Sequence, residues 1–292
     1  MAEGKVVKRT DTEYKLLGCF RQKDKDYFTS RVRFKAGTFQ TEEMRRLLAM
    51  AERFGNGEIH LTSRQTVHVL WIPEDSIEEY LTELAEVGLS HSASGPTVRN
   101  TMGCLGGYTC KNGWINAHEM AQSIDQRVFG AALSMRKIKI AVSGCPNACT
   151  DPVYNEIGIV GRVVFQVDRE KCIGCGRCVT ACIEGANYMM EKKSYRVDAR
   201  CIQCGDCIRV CPTEARSPEA VTYSLYLGGR MGRHPRAGVL IAKLKSAEEV
   251  LSAVERLISV ARDVGEKGER LDQTIDRVGI QMFVHAIGHG ST

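Results

Sequence analysis

Twelve of the 13 cysteines in this 292-residue chain fall into three sets of four, and their spacing is the first feature able to do chemistry. Cys172, Cys175, Cys178 and Cys182 read C-x2-C-x2-C-x3-C; Cys201, Cys204, Cys207 and Cys211 repeat the run and end in Pro212. Thiolates at steps of three wrap one corner of an iron–sulfur cube, and this run folds around [4Fe-4S] clusters. In two-cluster ferredoxins the fourth cysteine of each run crosses to the other cluster. We therefore expect Cys172, Cys175, Cys178 and Cys211 around one cluster, and Cys201, Cys204, Cys207 and Cys182 around a second. Zinc also takes C-x2-C pairs, but three consecutive cysteines at that step, twice over, is rare for zinc. Gly174, Gly176 and Gly205 suit backbone packed against sulfide, and Ile183 stands where a proline is usual.

The third set, Cys104-x5-Cys110 with Cys145-x3-Cys149, is less specific: its spacing alone admits a cluster, a zinc site or four buried thiols. Its neighbourhood is more informative. Lys137 and Lys139 alternate with Ile138 and Ile140, so a strand puts both lysines on one face. Arg31 and Arg33 alternate with Val32 and Phe34 in the same way, and on the strand 58–71, His60, Thr62, Arg64, Thr66 and His68 share a face. Alternating charge is ordinarily the solvated face of a half-buried strand. Here, however, the lysine strand runs within a few residues into Ser143-Gly144-Cys145-Pro146-Asn147-Ala148-Cys149, and basic side chains beside a metal site imply an anionic ligand or cofactor.

The elements that must position these residues are mixed. Apolar periodicity predicts a helix after Thr41 carrying Met44, Leu47, Leu48 and Ala51 and closing at Gly55, and another from Ser76, with Glu79 completing a capping-box pattern, to Gly88. A third follows Asn116 with Met120, Ile124 and Val128 on one face; a fourth starts near Ser246 and carries Val250, Val254, Leu257, Ile258 and Ala261. Stretches 27–35, 58–71, 136–143, 156–167, 221–227 and 238–242 are rich in β-branched and aromatic residues and read as strands. The fold class is α+β. The eight ferredoxin-type cysteines lie between the strand ending near Val167 and the one starting near Val221, as an insertion into a larger domain.

Composition bounds the rest. Hydrophobic residues at 43% and charged residues at 26% are close to globular averages, which removes disordered, collagen-like and coiled-coil readings. No run approaches the ~18 apolar residues of a membrane span, and MAEGKVVKRTDTEYK lacks the apolar stretch of a signal peptide, so a cytoplasmic location is expected. The net charge of +5 is mild and no like-charge block marks a nucleic-acid tail. Cys19, Trp71 and Trp114 are read as packing residues, and His285 and His289 are given no role.

The sequence resembles the siroheme-containing sulfite and nitrite reductases. The matching residues are Cys104-x5-Cys110, Gly144-Cys145-Pro146-Asn147-Ala148-Cys149, the lysines upstream of it, Leu61-Thr62-Ser63-Arg64-Gln65-Thr66, Val98-Arg99-Asn100 and the GGRMGRHPR segment at 228–236, spanning about 27–240. The inserted module resembles that of dissimilatory sulfite reductase subunits and of the third subunit of anaerobic sulfite reductase. The resemblance implies a single-copy siroheme reductase-type fold with an inserted two-cluster ferredoxin-like domain: 1–98 as the ferredoxin-like half, 99–167 and 216–292 as the siroheme/[4Fe-4S] domain, and 168–215 as the insertion.

It further implies three [4Fe-4S] clusters, the first on Cys104, Cys110, Cys145 and Cys149, with Cys149 also bridging to the siroheme iron. Arg31, Arg99, Lys137 and Lys139 would line the distal face and bind the substrate oxyanion. Arg33, His60, Thr62, Ser63, Arg64 and His68 match positions that hold the macrocycle and its eight carboxylates; His60 and His68 depart from the Arg and Gln of assimilatory enzymes. The implied reaction is six-electron reduction of sulfite to sulfide. Two lysines at 137 and 139 favour sulfite, with nitrite reduction to ammonia or a siroheme-free polyferredoxin as alternatives. The implied partners are sulfite or nitrite, an outside electron donor or partner subunit, and a homo- or hetero-oligomeric mate that completes a single-copy chain; no nucleic acid or membrane span is implied.

Overall fold

The computed structural model describes residues 9–288; His289 and the first eight residues lie outside them. The chain divides into two compact units, and the fold is mixed α+β.

One unit comprises the residues up to Met102, Ala121–Ile140 and Ile258–Val278. Its main sheet is antiparallel: Cys19–Arg21, Tyr27–Arg33, Thr66–Pro73 and Ile59–Leu61 lie in that order, with Ser90–His91 also paired to Tyr27–Arg33. Helix Thr41–Phe54 follows from its sequence: the Glu43 carboxylate accepts the Gln40 N–H (2.6 Å) ahead of the first turn, and Leu47, Met50, Ala51 and Phe54 recur at i, i+3, i+4 and i+7 and are buried. Leu48, counted above among the apolar stripe, is 40% exposed. These helical side chains meet Phe28, Val32, Val67, Val69 and Ile72 of the sheet and Tyr80 of helix Ile77–Glu86 in one core. Cys19 is fully buried there, its thiol pushed up to about 12 by burial, as a packing residue should be.

Two local expectations change. The stretch 58–71 is a hairpin, with strands Ile59–Leu61 and Thr66–Pro73 and the chain reversing at Thr62–Gln65, where Gln65 takes φ 57°. The Thr62 hydroxyl makes the turn without glycine or proline by accepting the N–H groups of Arg64 (3.3 Å) and Thr66 (3.2 Å). The capping box at Ser76 does not form. A 3-10 turn over Glu74–Ser76 already gives Ser76 helical backbone angles, so its hydroxyl makes no cap bond.

The other unit comprises Gly103–Met120, Ala141–Leu257 and Gly279 onward. In its sheet Ile140–Ser143, Ile157–Val167, Arg216–Leu227 and Val239–Leu244 are neighbours in that order. The last three pair antiparallel, with a register running from Ile157 against Leu227 to Val167 against Arg216. The third of these strands thus begins at Arg216, ahead of the expected start near Val221. Ser217-Pro218-Glu219-Ala220 carries no strand pattern of its own and is extended by its partner, Val164–Val167. Residues 168–215 leave and rejoin the sheet at the Val167–Arg216 pair, where the Asp168 N–H also reaches the Ala215 carbonyl (2.8 Å). That segment holds a hairpin, Asn187–Met190 with Lys193–Arg196, and two short helices, Arg177–Thr180 and Asp206–Arg209. Each helix is entered through a left-handed glycine, Gly176 (φ 73°) and Gly205 (φ 76°), the conformation that residue type adopts without strain.

Candidate iron–sulfur and anion site

The thiols of the two ferredoxin-type runs surround two cavities. Cys172, Cys175, Cys178 and Cys211 line one, together with Val167, Ile173 and Arg216. Cys182, Cys201, Cys204 and Cys207 line the other. Each cavity therefore takes three cysteines from one run and the fourth from the other. Among the described residues no three His, Cys, Asp or Glu side chains close tightly enough for a single metal ion; the sulfurs ring volumes instead. Burial raises the Cys204 thiol to about 11 and also raises Cys207, against the nearby Arg216 guanidinium. For Cys211 burial pushes upward too, but the N–H groups of Thr213, Arg216 and Ala215 and the Thr213 hydroxyl outweigh it and hold the thiol below its usual value. Donors aimed at sulfur are what a metal-bound thiolate requires.

The third set is gathered on two loops. Cys145 is buried while Cys110 and Cys149 are exposed. Burial raises the Cys145 thiol, the Asn147 N–H opposes this, and Cys104, Cys149 and Cys110 raise it again by like-charge repulsion, so the four sulfurs share one electrostatic neighbourhood. Cys104 Sγ accepts N–H bonds from Gly106 (3.3 Å) and Gly144 (3.2 Å). The loops approach so closely that a Cβ on Gly113 would sit 2.0 Å from the Gly107 nitrogen, and one on Gly144 2.7 Å from the Gly106 Cα. Ser143 and Thr150 pin the ends of the Cys145–Cys149 loop: their hydroxyls are 2.8 Å apart, and Thr150 Oγ1 also donates to the Val142 carbonyl (2.9 Å). Trp114, beside these loops, donates its indole N–H to the Cys204 carbonyl (2.7 Å) while its own backbone N–H binds the Gly144 carbonyl (2.8 Å). It therefore touches the backbone of both cysteine regions.

The basic residues lie in the other unit. Thr97–Val98 pairs parallel with Lys137–Ile138, and the Arg99 N–H donates to the Ile138 carbonyl (2.8 Å), so Arg99 and the half-buried Lys137 meet on one short ladder; the expected strand 136–143 breaks at the half-buried Lys139, between Lys137–Ile138 and Ile140–Ser143, which lie in different sheets. The Arg99 guanidinium binds Thr97 Oγ1 (3.2 Å) and the Gly95 carbonyl (2.9 Å). Arg31 is opposite His68 in the main sheet, and its Nε donates to His68 Nε2 (2.9 Å). His68 is therefore an acceptor at Nε2; burial first, then Arg31 and His60, lower it to about 4. His60, exposed, is the cross-strand partner of His68, with ring centroids 5.8 Å apart. They share a face because the hairpin register pairs them.

The remaining expected macrocycle contacts have protein partners or lie open. Arg33 Nη1 pairs with Asp125, and its guanidinium stacks 3.6 Å from the Phe129 ring centroid. Arg64 donates to the Asn100 carbonyl (2.8 Å), and the Asn100 amide returns a bond to the Arg64 carbonyl (2.9 Å), joining the hairpin turn to the Val98-Arg99-Asn100 segment. Thr62 builds the turn, and Ser63 is exposed. Sequence reasoning missed Arg216, 2% exposed between the two ferredoxin-type sets; no pattern of charge or period marks it.

Three sets of four thiols, two of them around cavities, define the donor set of an iron–sulfur redox protein. The Nitrite and sulphite reductase 4Fe-4S domain family matches residues 94–291, and the Nitrite/Sulfite reductase ferredoxin-like half domain matches 20–87. The chain belongs to the nitrite and sulphite reductase 4Fe-4S family. It is 36% identical over 273 residues to the coenzyme F420-dependent sulfite reductase of Methanocaldococcus jannaschii, covering 92% of this chain but 43% of that protein. It is 29% identical to one subunit of the anaerobic sulfite reductase of Salmonella typhimurium, covering 74% of this chain and 68% of the relative. The fold matches dissimilatory sulfite reductase I with a TM-score of 0.76 at 19% identity, over 91% of this chain and 70% of that one. Among the described residues no helix is long and apolar enough to cross a membrane.

Proposed function

We propose that this chain is the catalytic polypeptide, or a subunit, of a cytoplasmic siroheme-dependent sulfite reductase that takes sulfite to sulfide with six electrons. The observation that carries the reading is the glycine-cradled set Cys104, Cys110, Cys145 and Cys149, coupled through Trp114 to the Cys182/Cys201/Cys204/Cys207 cavity. Siroheme and three [4Fe-4S] clusters, when bound, supply and relay the electrons. Cys149 is the thiolate that would be shared with siroheme, a reading compatible with its being one of the two exposed thiols of its set.

The chain's own residues bind and protonate. Arg31 is oriented through its Nε by a neutral His68, and its planar, permanently charged fork holds an oxyanion. Arg99, clamped to Gly95 and Thr97, adds fixed positive charge beside the Lys137 ladder. Lys137 and Lys139 bind the anion and deliver the protons that leave with each S–O oxygen as water, since an ammonium pKa shifts readily with its surroundings. The paired lysines and the sulfite-reducing relatives support sulfite over nitrite. An outside donor or partner subunit fills the ferredoxin-type clusters, and the siroheme enclosure is completed by a second copy or by another subunit.

The test is an optical spectrum with iron and acid-labile sulfide counts on anaerobically purified protein, followed by sulfite and then nitrite added to the reduced sample. Siroheme bands that shift with sulfite, beside about twelve cluster irons per chain, are expected. Full cluster iron without a siroheme band, when siroheme is available, refutes the catalytic reading.

A further inference from the structure

Arg216 is the largest fully buried side chain of the described residues, and among those residues it has no carboxylate partner. Its Nη1 donates to Cys207 Sγ (3.4 Å); its Nη2 donates to Ser194 Oγ (2.6 Å) and the Tyr195 carbonyl (3.3 Å); its Nε has no partner. Ser194 Oγ, already accepting from Arg216, is 3.0 Å from Cys178 Sγ, and it would donate its own proton there once that sulfur is a thiolate ligand. Cys207 belongs to one cysteine cavity and Cys178 to the other. One guanidinium thus reaches both sets, directly on one side and through a hydroxyl on the other.

A guanidinium stays charged in a protein interior, and burying it without a counter-charge costs several kcal/mol. Among the described residues, the groups that the fold places against it and that become anions on binding a cluster are the sulfurs of the two sets. A four-iron cluster on four thiolates carries net negative charge that grows by one on reduction, and both that charge and hydrogen bonds to sulfur set its potential. We propose that Arg216 is the shared counter-cation of the two ferredoxin-type clusters and makes the one on Cys182, Cys201, Cys204 and Cys207 the easier to reduce. This rests on the reading above that these cysteines hold clusters. The step is a one-electron transfer from an added reductant: no bond breaks, and Arg216 keeps its proton. The direct bond to Cys207 stabilises the added electron more than the contact relayed by Ser194 does. The favoured cluster is also the one whose Cys204 carbonyl binds Trp114, beside the Cys104–Cys149 loops. Arg216 therefore biases electrons inward.

The experiment is a dithionite titration with redox mediators, followed by electron paramagnetic resonance, on the full chain after iron and sulfide counting. In Arg216→Met the higher of the two ferredoxin-type potentials falls further than the lower, and Arg216→Lys restores most of it. Ser194→Ala, which leaves the guanidinium in place, lowers only the other potential and carries the test should Arg216→Met lose iron. Clusters present with potentials unchanged in both Arg216→Met and Ser194→Ala overturn the proposal while leaving the functional reading intact. Absence of these clusters from the unmodified protein, by contrast, is failure of that reading itself.

Discussion

Replacing Arg33 by methionine separates two roles that sequence pattern cannot. The substitution keeps an unbranched stem in the sheet and removes the charge. Left behind is Asp125, 5% exposed, with the Thr101 N–H (2.8 Å) as a remaining donor. Breaking a buried ion pair from one side costs roughly 3–5 kcal/mol. Arg33 is itself 20% exposed, which favours the lower end, about 3 kcal/mol with the lost Phe129 stacking included. At about 2–4 °C per kcal/mol for a chain of this class, the melting temperature should fall by roughly 6–12 °C. The deficit should also depend on pH. Burial already raises the Asp125 carboxyl, with the Thr101 N–H and Arg33 opposing it. Without Arg33 it rises further, so acidification neutralises the stranded charge and the deficit shrinks as pH falls. Calorimetry of Arg33→Met, Asp125→Asn and the double variant gives the cycle, and the double should be less destabilised than the sum by at least ~1 kcal/mol. A melting temperature within about 2 °C of the unmodified protein, accompanied by loss of siroheme absorbance, refutes the structural role and returns Arg33 to the macrocycle.

In siroheme-free protein, His68 is lowered from 6.5 to about 4, so the unfolded chain binds the extra proton first and stability is lost as pH falls from 6.5 towards 4. The shift alone corresponds to roughly 3 kcal/mol, discounted to about 1–2 for a half-enclosed ring; urea midpoints of His68→Asn and the parent should converge near pH 4, and a gap unchanged between pH 7 and 4 counts against the assignment. Gly113→Ala forces a Cβ to 2.0 Å from the Gly107 nitrogen and should cost about four cluster irons per chain, with the ferredoxin-type iron retained; full iron content in that variant refutes the cradle. Lys139→Met should lower kcat for sulfite by about 10²-fold or more if it delivers protons, with a smaller change in KM; a change in KM alone assigns it to binding.

What the sequence made legible is whatever period or spacing encodes directly. The buried face of Thr41–Phe54 follows from the 3.6-residue repeat, and the two cysteine runs are visible as spacing alone. The turn inside 58–71 was hidden because Thr62–Gln65 contains neither glycine nor proline and closes through a threonine hydroxyl. Alternation put Arg31 and Arg33 on one face, but their partners, His68 and Asp125, are far along the chain. Period two says which way a side chain points and nothing about what meets it. Arg216 is the extreme case: its burial comes from register with Val167 and from sulfur that arrives from elsewhere in the module.

The site of insertion explains why a charged residue could be buried there at all. Adjacent antiparallel strands bring Val167 and Arg216 side by side, so a segment can leave and return without disturbing the ladder. The module is then tied down by arginines that stack on aromatic rings while donating to backbone carbonyls. Arg196 lies over Phe165 and binds its carbonyl, and Arg209 lies over Trp114 and binds the Asn112 carbonyl. Both arginines also pair with carboxylates of the module, Arg196 with Asp198 and Arg209 with Asp206, whereas the buried Arg216 has no carboxylate partner among the described residues. If these thiols hold clusters as proposed, a cation at the junction, hydrogen-bonded to one sulfur and relayed to another, is the arrangement in which loading the module would also satisfy the buried charge of Arg216.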